Sequence, residues 1–366
     1  MTLRDSTTVG SELADIEAKV RDGDRIDADD CIRLYASNDI LAIGRMANLV
    51  RERLHGDRTY YIVNRHINYT NVCVNRCEFC AFHRSEGDPG AYTMSLTEIL
   101  ETAKAAAKDG IRELHIVGGC HPELPYEFYR AMLAALHAAL PEVHLQAFTA
   151  VEIGHMAGMA DMSTREALQD LQEAGLGSLP GGGAEIFAER VREMICPKKL
   201  SGDEWLRIHR EAHELGMRTN ATMLYGHVET LAERVDHLER LRAAQDETPG
   251  FQSFIPLAFH PENTRIREGK FTTGFDDLKN IAIGRIFLDN FPHIKSFWIM
   301  QGLKIAQVSL SFGADDLDGT VAEERITHEA GATTPQALAR EQLVGLIREA
   351  GREPVERDTV YNVVER

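Results

Sequence analysis

Three cysteines fall within eight residues, and their spacing restricts the chain more than any other feature of the sequence. Cys73, Cys77 and Cys80 follow a β-branched stretch that predicts a strand. Thiolates so close together on one loop can converge on a single soft metal centre. A structural zinc ion usually takes four protein ligands, and no second cysteine pair stands nearby to complete such a set. The alternatives are a zinc knuckle with a remote fourth ligand and a disulfide with one free thiol.

The composition predicts a globular protein with a large core and argues against nucleic acid as a partner. The chain has 366 residues, 43% of them hydrophobic, which is enough for a large core in one α/β barrel. The polar start shows no signal peptide, and no apolar run approaches the roughly 18 residues of a membrane span. Six cysteines, half of them clustered, fit the reducing cytoplasm. A net charge of −17 without a basic block excludes nucleic acid as a partner.

The periodicity predicts a helical start over 11–55, with Asp27 and Asp29 as caps, and then alternating strands and helices. Capping-box sequences mark four of the later helix starts, at 95–98, 163–166, 201–204 and 230–233. The predicted strands are 67–72, 113–117, 144–149, 177–180, 218–224, 251–257, 296–300 and 306–312.

Repeated βα units of this kind predict a complete or nearly complete (β/α)8 TIM-type barrel. An incomplete barrel of six strands is the alternative, because the last two strands lie close together in the sequence. We expect a helical segment at 1–58, the barrel at 59–333, and a C-terminal helix and tail at 334–366, the helix beginning near Thr334.

The cysteine loop resembles the signature of the radical SAM superfamily, Cys-x3-Cys-x2-Cys with an aromatic residue, here Phe79, before the third cysteine. The resemblance implies a [4Fe-4S] cluster held by the three cysteines, with S-adenosyl-L-methionine (SAM) on the fourth iron. It assigns Gly118 and Gly119 to the amino group of the SAM methionine. The next residue is usually acidic, whereas this chain has Cys120, which is a buried thiol or, as an alternative, a fourth cluster ligand.

Residues that follow other strands are further candidates, because barrel chemistry is built at the C-terminal ends of strands. A glycine triplet at 181–183 precedes Glu185, which suits a ribose diol, although a tight turn before a helix would look the same. His121 and His260 each begin a His-Pro-Glu sequence just beyond a strand. Both could bind a carboxylate or move a proton as catalytic residues, although histidine before proline is also common in ordinary loops.

Polar residues in or after barrel strands are expected to line a substrate pocket, because buried polar groups are costly without partners. His66, Asn71 and Asn263 are the substrate-binding candidates, and Arg84 and Arg267 are the candidates for binding substrate carboxylates. Further candidates for this lining are Asn68, Asn220, Tyr225, His227, Gln301 and a polar loop at 313–319. Thr149 and Glu152 are weaker candidates for the ribose-binding role of Glu185.

Several stretches resemble the aminofutalosine (aminodeoxyfutalosine) synthases, namely 71–84, 118–123, 254–264, 310–320 and 348–358. This resemblance implies a transferase of menaquinone biosynthesis by the futalosine pathway. In that reaction the 5′-deoxyadenosyl radical from SAM adds to 3-[(1-carboxyvinyl)oxy]benzoate, with rearrangement and loss of bicarbonate. A flavodoxin or ferredoxin would supply the electron, and a homodimer is left open. The alternatives are a cyclic dehypoxanthine futalosine synthase, a deazaflavin-cofactor synthase and a non-enzymatic iron–sulfur electron carrier.

Overall fold

Three helices precede the main sheet, as the periodicity predicts. The computed structural model describes residues 12–266 and 271–365, so Arg267 lies outside the described residues. Asp27 caps the second helix, but Asp29 lies within its first turn, and Asp39 caps the third. The prediction of Asp29 as a cap is therefore wrong. The helices are α1 (Ala14–Asp22), α2 (Ala28–Ala36) and α3 (Ile40–His55).

A sheet of seven parallel strands forms the wall of the barrel, and its strands are neighbours in chain order. All four predicted capping boxes are present, each with the Ser or Thr side chain accepting from the backbone N–H three residues on. The strands are β2 (Asn64–Ile67), β3 (Glu113–Ile116), β4 (His144–Ala147), β5 (Ser178–Leu179), β6 (Arg218–Tyr225), β7 (Phe251–Ala258) and β8 (His293–Ile294). The helices between them are α4 (Leu96–Ala107), α5 (Tyr126–Ala139), α6 (Ala150–Met159), α7 (Thr164–Glu173), α8 (Glu189–Ile195), α9 (Gly202–Glu214), α10 (Leu231–Glu247) and α11 (Gly274–Phe287).

A second, three-stranded sheet links the two edges of the first. It has the order β10 (Glu353–Glu356), β1 (Arg58–Ile62) and β9 (Asp316–Gly319). Ser296, just after β8, donates its N–H to the Asp316 carbonyl at 2.8 Å, and His66 of β2 donates to the Ala322 carbonyl at 3.1 Å. The segment from β9 to Ala322 therefore occupies the eighth position, and the TIM-type prediction is confirmed rather than the six-stranded alternative.

The last part of the barrel differs from the prediction. Residues 298–301 and 303–309 are helical, so the predicted strands at 296–300 and 306–312 are wrong. The region 313–319, predicted as a loop, contains β9, and the first barrel strand ends at Ile67 rather than continuing to 72. The C-terminal helix begins at Arg340, later than predicted. The remaining helices are α12 (Trp298–Gln301), α13 (Leu303–Ser309), α14 (Ile326–Glu329) and α15 (Arg340–Glu349).

Buried ion pairs explain why a strand as polar as β9 lies inside the molecule. Asp315 pairs with the fully buried Arg285. Asp316 accepts from Arg357 Nε at 2.6 Å, and Asp318 accepts from Lys295 Nζ at 3.1 Å. A buried carboxylate is tolerated when a cation and hydrogen bonds compensate its lost hydration. Among the described helices none is long and apolar enough to cross a membrane.

Candidate active site

A cavity of about 310 Å³ opens inside the barrel at the C-terminal ends of the strands. This volume is within the range of small-molecule sites. Its walls carry apolar side chains, among them Phe259 and Phe297, and polar groups at two separate places. One place is the cysteine loop after β2, and the other is the interior of the strands. The cavity is where the sequence predicts the chemistry to be.

The three clustered cysteines all line this cavity, together with Phe79. All three are free thiols, so the disulfide alternative is wrong for this structure. Cys120 donates a hydrogen bond to Cys73 and lowers the pKa of Cys73 to about 5. Burial raises the pKa of Cys77 and of Cys80. The loop thus presents three sulfur ligands to one space, which is the donor set an iron–sulfur cluster requires.

The thiols of the cavity wall fit the group that the sequence motif implies. Cys73, Cys77 and Cys80 are free and line one space. Iron–sulfur clusters are held by cysteine thiolates, whereas a structural zinc ion usually takes four protein ligands. The residues present therefore fit a [4Fe-4S] cluster.

The paired glycines of the β3 loop pack directly against the cysteine loop. A Cβ atom on Gly118 would stand 2.7 Å from the Tyr69 ring. The Gly119 N–H donates to the Thr70 carbonyl at 2.9 Å. The Gly118 N–H is bound to Glu152 Oε1 at 2.9 Å. These contacts give the glycines a structural reason to be glycine, in addition to their place on the cavity wall.

A buried ion pair stands beside the cysteines. Lys199 Nζ lies 2.5 Å from Glu185 Oε1 and 5.0 Å from the centre of the Phe79 ring. Glu185 has φ +48°, a left-handed conformation that the turn after the glycine triplet imposes. Both side chains line the cavity. Glu185 therefore lines the cavity, as its predicted role in ribose binding requires. The sequence did not indicate that its carboxylate would be paired with Lys199.

His260 is the candidate catalytic histidine that reaches the cavity. Its Nε2 donates to the Met300 carbonyl at 2.8 Å, because a carbonyl can only accept. Its Nδ1 therefore carries the lone pair, and this buried atom has no hydrogen-bond partner among the described residues. A buried acceptor without a partner is costly, so this nitrogen is an unsatisfied polar group in a residue that lines the cavity.

Four of the main predicted residues are not among those that line the cavity, and the weaker candidates Asn68, Tyr225, His227 and Gln301 do not line it either. His121 Nδ1 accepts from the backbone N–H groups of Glu123 and Leu124, and the Arg84 guanidinium donates to the carbonyls of 81–83. Asn71 and Asn263 bind backbone groups at Gly90, Tyr92 and Glu329. These side chains hold loops in place. The catalytic role of His121 and the substrate-binding roles of Asn71, Arg84 and Asn263 stay predictions.

Several cavity residues were not singled out from the sequence as site residues. His115 of β3 stacks on His66 of β2 with 4.4 Å between ring centres, so one predicted substrate residue has an unpredicted partner. His66, His115 and Gln146 are register partners on adjacent strands, and this register is the signal that could have identified His115 and Gln146. The unpredicted polar residues include Lys199, His115, Gln146 and Lys295, whereas Asp318 belongs to the polar loop at 313–319 that the sequence indicates.

The fold and the sequence both have relatives among known proteins. Solved structures of methylornithine synthase (TM-score 0.71, 17% identity, covering 93% of this chain and 97% of that one) and of the FeFe-hydrogenase maturase HydG from Carboxydothermus hydrogenoformans (TM-score 0.73, 17% identity, 96% and 80%) share the architecture. At this identity they show the fold alone, a TIM-type α/β barrel. Residues 67–241 match the model of the radical SAM superfamily, and residues 248–366 match the CofH/MqnC C-terminal region.

Curated relatives cover nearly the whole chain. The aminodeoxyfutalosine synthase of Thermus thermophilus is 50% identical over 96% of both chains. That of Streptomyces coelicolor is 47% identical over 96% of this chain and 93% of its own. The 5-amino-6-(D-ribitylamino)uracil–L-tyrosine 4-hydroxyphenyl transferase of Methanopyrus kandleri is 41% identical over 90% and 91%. The chain therefore belongs to the radical SAM superfamily of enzymes and, within it, to the aminodeoxyfutalosine synthase family.

Proposed function

We propose that this enzyme makes aminodeoxyfutalosine for menaquinone biosynthesis. SAM, 3-[(1-carboxyvinyl)oxy]benzoate and water would be converted to aminodeoxyfutalosine, methionine and bicarbonate. The observation that carries the proposal is the convergence of Cys73, Cys77 and Cys80 on one enclosed cavity, in a chain 50% identical to a synthase of this name.

The three cysteines would hold the [4Fe-4S] cluster at the wall of the cavity. When bound there and reduced, the cluster with SAM supplies the 5′-deoxyadenosyl group as a radical. Phe259 and Phe297 keep this part of the cavity apolar, which excludes water and limits side reactions of a reactive species. Glu185, fixed by Lys199, would accept hydrogen bonds from the ribose hydroxyls.

His260 is the protein group best placed to exchange a proton with the bound substrate. The residue lines the cavity, its buried Nδ1 has no hydrogen-bond partner among the described residues, and the Met300 carbonyl fixes the orientation of the ring. A histidine held in one tautomer by a backbone carbonyl is a suitable general base. This supports His260, rather than His121, as the catalytic histidine of the sequence-based prediction.

A second candidate function is that of the 41% identical 5-amino-6-(D-ribitylamino)uracil–L-tyrosine 4-hydroxyphenyl transferase. This function corresponds to the deazaflavin-cofactor synthase alternative of the sequence analysis. The two functions differ in what the cavity must accept. The synthase substrate carries two carboxylates, whereas the relative named as a tyrosine 4-hydroxyphenyl transferase takes an amino acid and a ribitylamino-uracil.

Product analysis separates these candidates. The protein is reconstituted anaerobically with iron and sulfide, reduced with dithionite, and incubated with SAM and one substrate set at a time. A product with the mass of aminodeoxyfutalosine, formed only with 3-[(1-carboxyvinyl)oxy]benzoate, supports the proposal. A hydroxybenzyl adduct formed only with tyrosine and 5-amino-6-(D-ribitylamino)uracil would replace it with the second function. SAM left intact under all conditions would indicate an electron carrier instead.

A further inference from the structure

A layer of polar side chains crosses the interior of the barrel at the base of the cavity. These side chains project from within the strands, or directly after β8, whereas the cysteines lie on the loop beyond β2. They are therefore deeper in the barrel than the cysteines, in line with the strand register. We name this layer the polar floor, and its members, all of which line the cavity, are His66, His115, Gln146, Asn220, Lys295 and Asp318.

Hydrogen bonds join much of the polar floor into one layer. His115 Nδ1 lies 3.1 Å from Gln146 Oε1, and the same oxygen accepts from Asn220 Nδ2 at 3.4 Å. Lys295 Nζ donates to Asp318 Oδ1 at 3.1 Å. The His66 ring has no hydrogen bond to the described residues and is held by stacking on His115. The layer is thus ordered before any ligand arrives, which reduces the entropy cost of binding.

Lys295 is the cationic side chain of the polar floor. Burial lowers the pKa of both His66 and His115, and the nearby charge of Lys295 lowers both further, so the stacked rings are neutral near pH 7. The cavity-lining residues that the structure describes include one other lysine, Lys199, and no arginine. Lys199 is engaged by Glu185 beside the cysteines. A carboxylate that reaches the base of the cavity therefore meets Lys295 alone.

The Lys295 ammonium has N–H groups that Asp318 does not use. It has three N–H groups, and Asp318 takes one of them. Its side chain is 8% exposed and that of Asp318 is 10% exposed, so the pair is shielded from bulk water but open to the cavity. Asp318 is itself fixed, because its backbone has φ +63° and its N–H donates to Asp316 Oδ1 at 2.5 Å. A fixed carboxylate on one side directs the ammonium while leaving further donors for a ligand.

We propose that Lys295 and the polar floor form the binding site for the ring carboxylate of an aryl-carboxylic substrate. This inference rests on the proposed function and names the place where one end of that substrate binds. The reacting enol-ether carbon must lie near the cysteine wall. The ring carboxylate is separated from that carbon by the ether oxygen and the benzene ring, so the substrate can place it away from the cysteines and in the floor. Arg84, the sequence-based candidate for this role, is bound to carbonyls outside the cavity.

Binding measurements with two ligands test the inference without relying on turnover. The ligands are 3-[(1-carboxyvinyl)oxy]benzoate and 2-phenoxyacrylate, which lacks only the ring carboxylate. Dissociation constants are measured by calorimetry on the reconstituted, unreduced enzyme with SAM present. We expect the unsubstituted enzyme to bind the dicarboxylate on the order of 100-fold more tightly than the monocarboxylate, since a buried charge pair is at stake.

Substitution of Lys295 should remove this preference. In Lys295→Met we expect the dicarboxylate to lose most of its advantage in affinity over the monocarboxylate. We expect 2-phenoxyacrylate to bind within about threefold of its original affinity, because it lacks the ring carboxylate through which Lys295 acts. Lys295→Arg should keep part of the preference. Lys304→Met, which removes an exposed lysine, is the matched control and should change neither constant.

Iron content and the unfolding temperature are measured for each variant, and Lys295→Gln replaces the methionine variant if that one does not fold. Equal weakening of both ligands, or an undiminished preference in both neutral variants, overturns the inference while the proposed function stands. If the unsubstituted enzyme binds neither ligand and forms no aminodeoxyfutalosine, the proposed function falls and this binding site falls with it.

Discussion

Gly119 lies so close to Val72 that a Cβ atom on the glycine would stand 2.2 Å from the Val72 carbonyl oxygen. The contact is one of several that join the loop after β3 to the cysteine loop, backbone against backbone. The Val74 N–H donates to the Cys120 carbonyl at 3.0 Å. The position of the cysteines thus depends on a neighbouring loop. This loop can approach so closely only because Gly118 and Gly119 have no Cβ atom.

Gly119→Ala should therefore impair the cysteine loop and the loading of iron. The added methyl group meets backbone atoms, which cannot rotate away, so we expect a loss of about 1–3 kcal/mol in stability and a large loss of bound iron. Iron content and the visible absorption after reconstitution measure the effect. Gly158→Ala is the control, because nothing lies within 4 Å of that site in α6. Full iron loading in Gly119→Ala would contradict this account of the contact.

Cys77→Ser should abolish the brown colour and the activity together. A serine hydroxyl is a much poorer ligand for iron than a thiolate, so the cluster should not assemble. Cys31→Ala serves as the control, since Cys31 is buried in α2 away from the cavity, and it should retain both properties. The comparison with Cys120→Ser decides whether Cys120 is a fourth ligand, because a residue that only donates a hydrogen bond to Cys73 can be replaced without loss of iron. Turnover in Cys77→Ser would refute its assignment as a ligand.

The local signals in the sequence predict much of this molecule. The cysteine spacing places three residues on one cavity wall, and Ser95 and Thr230 are N-caps where the capping boxes predict them. Such signals succeed because each depends on contacts within a few residues. His121 and His260 show the limit, because both stand in the same local sequence and only one reaches the cavity. Their difference arises from where the tertiary structure directs each loop.

The strand β9 could not be predicted, because its stability comes from distant partners. A stretch with Asp315, Asp316 and Asp318 has the composition of a loop, and nothing nearby in the sequence indicates that its carboxylates are paired. The cations come from Arg285 and Arg357, among others, and meet the strand only after the barrel has closed. The pattern of 306–312 predicts a strand, but the structure has the helix Leu303–Ser309 in this region.

Arg285→Met should destabilise the barrel strongly. Arg285 and Asp315 are both fully buried, and removal of the guanidinium leaves the carboxylate with His293 Nδ1 at 2.6 Å and the Ile294 N–H at 2.8 Å but without its arginine. The cost of such a broken buried pair is about 3–5 kcal/mol. Chemical denaturation followed by circular dichroism measures the free energy of unfolding. Arg21→Met breaks an exposed pair with Glu17 and should change the stability little. Similar losses in the two variants would argue against the role given to buried charges in β9.

The contribution of His328 to stability should depend on pH. Its Nδ1 lies 2.7 Å from the Glu324 carbonyl and its Nε2 lies 3.0 Å from the Thr334 carbonyl, so both nitrogens have acceptors. The hydrogen bond to the Glu324 side chain and these carbonyls raise the pKa from 6.5 to about 9. Because the folded state binds the proton more tightly, the stabilisation is complete below pH 6.5 and is lost as the pH rises through 9.

His328→Gln should accordingly lower the unfolding temperature most at pH 6, and the deficit should shrink towards pH 10 as the unsubstituted histidine loses its proton. Thermal unfolding at a series of pH values gives the comparison. The exposed His137 provides the control, and His137→Gln should show a small deficit without a trend. A deficit for His328→Gln that is the same at both ends of the pH series would mean that packing, rather than charge, accounts for its effect.

The two histidines of the His-Pro-Glu sequences allow a matched test of catalysis. His260→Asn removes the imidazole ring of a residue that lines the cavity, and we expect product formation to fall by about 10²–10⁴-fold, the usual contribution of a positioned acid or base. His121→Asn changes a ring whose Nδ1 already accepts from Glu123 and Leu124, so it should lower stability but leave the rate of the folded fraction nearly unchanged. Single-turnover product formation, normalised to bound iron, measures both variants. Because the two sites share their local sequence, a larger loss in His121→Asn would place the proton-transfer group at β3 instead of β7, and equal losses would remove the reason for choosing between them.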